Sequence, residues 1–262
     1  MSSVTKGIRF LFRALWFAAE LLFFICTFVA LLLRHGGKIP QLARSSWLQW
    51  CSRRTLRVFS VSFESRGPLP PTGLLVCNHL SYLDILVLVA LTPAVFVSKA
   101  EVQSWPVFGW FAKRSGTLFV DRTRRTDVTR MNTEIDRTLA GGNVLVLFPE
   151  GTSWNSREIL PFKSSLLEPI VGSKHPLSVG RITYALDDGS VEQDVCYWGE
   201  MTFLRHFLNL MTKRHIRARV TFAPIAHPAA DRKELARQLH AEVVRLGDAA
   251  PASMPVNTGA PV

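Results

Sequence analysis

Leu74-Leu75-Val76-Cys77-Asn78-His79-Leu80-Ser81-Tyr82-Leu83-Asp84-Ile85-Leu86-Val87-Leu88-Val89-Ala90-Leu91 is a short apolar run, a polar break and a longer apolar run. Residues 74–77 suit a fully buried strand and residues 82–91 a helix, with Asn78, His79 and Ser81 between them. The same unit recurs downstream. A run at 95–98 leads into Lys99-Ala100-Glu101, one at 117–120 into Asp121-Arg122, and one at 144–148 into Pro149-Glu150-Gly151-Thr152. Weaker strand patterns lie at 178–183, 195–198 and 217–222. Helical patterns cover 124–140 and 232–246; Asp231 with Glu234 starts the second and Gly247 stops it. This alternation predicts an α/β fold with a mostly parallel central sheet flanked by helices. Ligands of such sheets bind beyond the carboxyl ends of the strands. Turns are polar wherever they occur, but four parallel strands would bring all four clusters into one crevice.

The first cluster holds the most specific chemistry. Residues five apart on a continuous helix point about 140° apart, so His79 meets Asp84 only if His79 stays in the loop and Asp84 enters the first helical turn. Ser81-Tyr82-Leu83-Asp84 reads as a capping box that starts the helix there. Two readings follow. Asp84 merely caps the helix, or it accepts a hydrogen bond from one imidazole nitrogen and leaves the other as a general base. No nucleophile elbow is present, so the second reading suits direct attack by a substrate hydroxyl. At the fourth cluster, Gly151, Thr152 and Ser153 offer donors to an oxyanion or head group, and Glu150 offers an acceptor. Lys99 and Arg122 add positive charge at neighbouring strand ends.

Before this domain, residues 14–33 read ALWFAAELLFFICTFVALLL, with Glu20 as the only charge. That length crosses a hydrocarbon core as a helix and exceeds a signal peptide's apolar region. A buried core helix is the alternative. Lys6, Arg9 and Arg13 precede it and Arg34, Lys38 and Arg44 follow, which leaves orientation, and span against one-sided dip, open. Residues 45–57 add Trp47, Trp50, Arg53, Arg54 and Arg57, a mixture suited to a head-group region or to a basic helix packed on the domain. The expected organisation is a membrane-anchoring helix over 1–35, a basic/aromatic interfacial segment over 36–66, a catalytic domain over 67–247 and a Pro/Ala-rich disordered tail over 248–262.

Lys and Arg total 31 against 20 Asp and Glu, and the +11 balance suits nucleic acid, a phospholipid surface or phosphorylated substrates without choosing among them. Cys26, Cys51, Cys77 and Cys196 are scattered and the histidines lack ligand spacing, so neither a zinc site nor a disulfide framework is expected. A reducing, cytoplasmic setting follows.

Taken together the motifs resemble the glycerolipid acyltransferases, the family that includes 1-acyl-sn-glycerol-3-phosphate acyltransferase. Asn78-His79 through Asp84 is similar to its first block. Lys99 to Glu101, Pro106 to Gly109 and Gly116 to Arg122 resemble the second, and Phe148 to Thr152 with Pro161-Phe162-Lys163 the third. The resemblance spans roughly residues 70–170. It implies the glycerolipid acyltransferase-type fold and transfer of a fatty acyl group from acyl-CoA or acyl-carrier protein to a lysolipid hydroxyl. His79 would be the general base and Asp84 its partner. Asn78, Lys99, Arg122, Glu150, Gly151, Thr152 and Ser153 would bind substrate. It implies no metal or organic cofactor, membrane lipids rather than nucleic acid as partners, and work at the cytoplasmic face of the cell membrane.

One departure concerns the acceptor. Many phosphatidate-forming members follow Glu-Gly-Thr with Arg-Ser, whereas this chain has Ser153-Trp154. Arg157, Lys99 or Arg122 could replace that phosphate contact. A related branch acylates lyso-ornithine lipid, and Tyr197-Trp198-Gly199-Glu200-Met201 is similar to it. The leading expectation is 1-acyl-sn-glycerol-3-phosphate, giving phosphatidate, with lyso-ornithine lipid as its rival. Other classes are a non-catalytic basic membrane-binding protein and a hydrolase.

Overall fold

The computed structural model describes residues 3–121, 125–248 and 256–258. Two helices, α1 (Ser3–Arg34) and α2 (Gln41–Val58), precede strands β1 (Val61–Arg66) and β2 (Gly73–Cys77). Then come α3 (Leu83–Leu91), β3 (Ala94–Lys99), α4 (Phe108–Ser115), β4 (Leu118–Val120), α5 (Arg125–Ala140) and β5 (Val144–Leu147). The chain continues through β6 (Leu177–Leu186), α6 (Val191–Asp194), α7 (Phe203–Leu210), β7 (Ile216–Pro224) and α8 (Arg232–Asp248). Val256–Thr258, within the tail expected to be disordered, forms β8 against β1.

Among the described residues the strands form one sheet in the order β4-β3-β5-β2-β6-β7-β1-β8. Pairing is parallel from β4 through β6, and antiparallel at β6–β7 and β1–β8. The α/β expectation therefore holds, with the carboxyl ends of β2, β3, β4 and β5 on one edge. Every residue of β2 and β5 is buried because both sheet faces are covered, which explains their unbroken apolar runs. Leu75, Cys77 and Val146 face a core that includes residues of α1, α2, α3 and α7. Leu74, Val76, Leu145 and Leu147 face the opposite core, formed with α5 and α8. Two details differ from expectation. Strand β1 joins the sheet although residues 61–66 were assigned to the preceding segment, because it pairs with β7 across a long sequence separation. Residues 195–198 form no strand; Val195 and Cys196 are apolar because they plug the core after α6.

Helix α1 is long and apolar enough to cross a membrane, yet one face is fastened to the domain along much of its length. Arg9 donates to Thr212 O at 2.7 Å. The buried Arg13 guanidinium donates to Met211 O at 3.1 Å, Arg214 O at 3.3 Å, Lys213 O and Ser60 Oγ, so it caps the carbonyl end of α7. Glu20 is also buried and accepts Arg54 Nε at 2.6 Å, Arg54 Nη2 at 2.8 Å and Trp16 Nε1 at 3.0 Å. Arg13 and Glu20 are thereby satisfied against the domain. The opposite face exposes Leu11, Phe12, Leu15, Leu22, Ile25, Val29 and Leu33. The tryptophans of α2 pack on neighbouring helices. Trp47 stacks on Phe111 with centroids 5.4 Å apart, and Trp50 packs edgewise against Phe23 and Phe24. The exposed apolar surface is carried mainly by α1.

Candidate active site

Strand β2 ends at Cys77, opposite Gly180 of β6. A Cβ on Gly180 would lie 2.6 Å from Cys77 Sγ, so glycine permits this close approach. Strand β6 runs on past that point, and the buried Asn78 extends the ladder with its side chain. Its Oδ1 accepts Ile182 N at 2.8 Å and its Nδ2 donates to Ile182 O at 3.1 Å. The main chain is thus free to turn away while staying fixed to the sheet, and it turns directly into His79.

His79 is held at several atoms. Its backbone N–H donates to Glu150 Oε1 at 2.6 Å, and its carbonyl accepts Trp154 N at 3.0 Å. The ring stacks on Phe148, with centroids 4.0 Å apart. Nδ1 lies 2.8 Å from Asp84 Oδ2. The other ring nitrogen makes no hydrogen bond among the described residues.

The Asp84 carboxylate is fully buried and surrounded by donors. Besides His79, Oδ2 accepts Leu80 N at 2.6 Å and Ser81 N at 2.9 Å, and Oδ1 accepts the Tyr184 hydroxyl at 2.7 Å. The two readings of Asp84 are therefore not alternatives. One carboxylate ties off the N–H groups ahead of α3 and also holds the imidazole. Three further donors satisfy the carboxylate in a site where an unpaired charge would be very costly. Burial and the adjacent Asp84 charge hold the Tyr184 phenol well above its ordinary range, so it remains a donor. No local motif marks Tyr184 in the sequence. Its signal is the alternation of β6: it points to the same face as Ile182, the partner of Asn78, but only pairing of β6 with β2 reveals that.

Two other candidates have structural rather than solvent-facing partners. Glu150 is buried and spends its oxygens on His79 N and, at 2.9 Å, Leu160 N. Burial raises its pKa, while these N–H groups pull it back down. It clamps two loops instead of reaching toward a substrate hydroxyl, because both oxygens are committed to the main chain. Asn78 is likewise committed to Ile182. Lys99, Gly151, Thr152 and Ser153 do line a cavity shared with His79. Ser153 Oγ donates to Tyr197 O, and Gly151 makes the tight turn at φ +81°. Arg122 lies outside the described residues.

That cavity has a volume of about 270 Å³. Its walls are mostly apolar, including Leu48, Ile85, Leu86, Phe96, Phe108 and Phe111. A long apolar chain fits such a lining, with polar groups confined to a few positions around His79.

Comparison with known proteins agrees with this architecture. A family model described as Acyltransferase matches residues 60–178. A lyso-ornithine lipid O-acyltransferase from Pseudomonas aeruginosa is 33% identical over 221 residues, covering 82% of this chain and 84% of that protein. The chain belongs to the glycerolipid acyltransferase family. This acyltransferase is also 32% identical to the lyso-ornithine lipid O-acyltransferase of Rhodobacter capsulatus, across 80% of this chain and 78% of the relative. It is 35% identical to a 1-acyl-sn-glycerol-3-phosphate acyltransferase from Neisseria meningitidis, across 45% of this chain and 48% of the relative. The crystal structure of the 1-acyl-sn-glycerophosphate acyltransferase from Thermotoga maritima superposes with a TM-score of 0.64. That match covers 94% of this chain and 99% of the other at 18% identity, and it supports the fold. The acyltransferase's exposed α1 face accords with membrane association and lipid synthesis.

Proposed function

We propose that this acyltransferase moves a fatty acyl group from acyl-CoA or acyl-carrier protein to the free hydroxyl of lyso-ornithine lipid, with His79 as general base. The observation that carries the chemistry is the imidazole held by Asp84 on the wall of a largely apolar cavity. With Nδ1–H directed at Asp84, Nε2 takes the acceptor's hydroxyl proton as that oxygen attacks the thioester carbonyl. Collapse of the tetrahedral adduct breaks the C–S bond, and the imidazolium returns its proton to the departing thiolate. The apolar cavity takes an acyl chain. Lys99 and Arg122 are assigned to anionic parts of the substrates, Thr152 and Ser153 to polar contacts at the reacting end. Asn78, Glu150 and Tyr184 hold the pair in position. No metal or organic cofactor enters this scheme.

Tyr184→Phe is expected to lower kcat about tenfold in steady-state assays while leaving the acyl-donor KM near its wild-type value. A hydrogen bond to a charged group contributes roughly 1.5–3 kcal/mol, and about 1.4 kcal/mol corresponds to tenfold in rate. An unchanged kcat would remove Tyr184 from the positioning network.

For the acceptor, Ser153 stands where phosphatidate-forming members carry an arginine, and the lyso-ornithine relatives align over four-fifths of the chain. Lysophosphatidate, favoured by the sequence motifs alone, is the second reading, supported by Lys99 on the cavity wall and the Neisseria relative. Purified enzyme in phosphatidylcholine vesicles, supplied with each acceptor, is expected to show the higher kcat/KM with lyso-ornithine lipid. The reverse order would assign lysophosphatidate, and thioester hydrolysis indifferent to either acceptor would point to a hydrolase. We also propose that α1 lies along the cytoplasmic surface of the cell membrane with its exposed face in lipid, since its other face is fastened to the domain.

A further inference from the structure

Two tryptophans outside the lining of the apolar cavity sit on loops that adjoin the His79 segment. Trp154 N donates to His79 O at 3.0 Å, and Tyr197 N donates to Leu80 O at 2.8 Å, so both loops hang from the His79 segment. Ser153 Oγ on Tyr197 O ties the loops to one another. Their next side chains meet: the Trp154 and Trp198 rings lie edge to face, centroids 5.6 Å apart. Trp154 packs in neither hydrophobic core, and both rings are only half-buried. Trp198 packs on the edge of one core, whereas the Trp154 ring contributes little to the fold.

The polar surroundings fix both rings and set the sign of the charge. Trp154 Nε1 donates to Glu158 Oε1 at 3.3 Å, and Trp198 Nε1 donates to Glu192 O at 3.1 Å. Arg157, the nearest cation in sequence, is taken up by Glu192 at 2.9 Å. Glu158 is left as the exposed charge beside the rings. Indole faces next to a carboxylate attract an ammonium group, by quadrupole and by charge, and offer nothing to a phosphate dianion.

We infer that Trp154, Trp198 and Glu158 form the head-group subsite, which recognises a primary ammonium on the acceptor lipid. This rests on the acceptor reading above and deepens it. Ser153, next to Trp154, stands where many phosphatidate-forming relatives carry arginine, so this loop has a cation-binding surface beside the position of an anion-binding side chain. The acceptor's ammonium docks on the rings while its hydroxyl reaches His79.

The test compares lyso-ornithine lipid with its side-chain N-acetylated analogue, which keeps the shape of the head group and loses the positive charge. Full-length enzyme in phosphatidylcholine vesicles is expected to favour the free amine by at least about tenfold in kcat/KM. Trp154→Ala and Glu158→Gln are each expected to bring that ratio close to one, chiefly by raising KM for the free amine. Equal kcat/KM for the two acceptors in the wild type would overturn the subsite while leaving the acceptor reading intact. So would variants that lose turnover on both acceptors in the same proportion, since that is the signature of a structural role. Acylation of lysophosphatidate with neither ornithine lipid used would overturn both readings.

Discussion

His79→Ala protein is expected to bind vesicles as wild type does and to transfer acyl groups at least about 10²-fold more slowly, since positioned general bases contribute roughly 10²–10⁴-fold. The size follows from how His79 is held. Backbone bonds from Glu150 and Trp154, the stack on Phe148 and the Asp84 contact together leave the ring little freedom. An alanine keeps both backbone bonds, so the loop should retain its path and only the base should be lost. Acyl transfer to lyso-ornithine lipid measures the first quantity and vesicle co-sedimentation the second. Retention of more than a tenth of wild-type turnover by folded His79→Ala would exclude His79 as the base.

Asp84→Asn should be as severe for catalysis and should also weaken the fold. Asparagine presents one oxygen and one NH₂ group to an environment composed of donors: His79 Nδ1, Leu80 N, Ser81 N and the Tyr184 hydroxyl. Turned toward Leu80 N and Ser81 N, its NH₂ meets donors; turned toward Tyr184, it requires the hydroxyl to accept and so to give up its own donation. If it meets His79, the ring must present a bare Nδ1 and carry its proton on Nε2, which is the wrong tautomer for a base. In the related triad arrangement that substitution costs about 10⁴ in kcat. A buried donor left unpaired costs roughly 1–3 kcal/mol, so thermal unfolding should shift downward as well. Single-turnover transfer together with a melting curve separates the two effects. A variant that melts early yet transfers at nearly the normal rate would leave Asp84 with its capping role alone.

The region from β2 through β5 was legible because its signals are local. Continuous apolar strands, the capping pattern before α3 and polar clusters after each strand need only neighbouring residues to be seen. What sequence obscured depends on distant partners. Asn78 and Glu150 carry the chemistry of ligand-binding residues, but their partners include Ile182 and His79, on segments distant in sequence that the folded sheet brings near. Tyr184 was invisible for the same reason. Trp47 and Trp50 left two readings open because an aromatic-basic helix looks alike whether its rings meet lipid or another helix; in the fold α1 and α4 pack against these rings.

The fastening of α1 has a consequence for the membrane as a whole. A helix joined to the sheet domain at Arg9, Arg13 and Glu20 cannot stand across a bilayer without carrying folded protein into hydrocarbon. Docked on one surface, as proposed above, the enzyme would draw its single-chain lipid from that leaflet and return the two-chain product to it. Each turnover enlarges one monolayer's chain volume and leaves the other untouched. Any asymmetry in the product between the two leaflets then begins with the side on which this protein rests, and equalising it falls to transbilayer lipid movement.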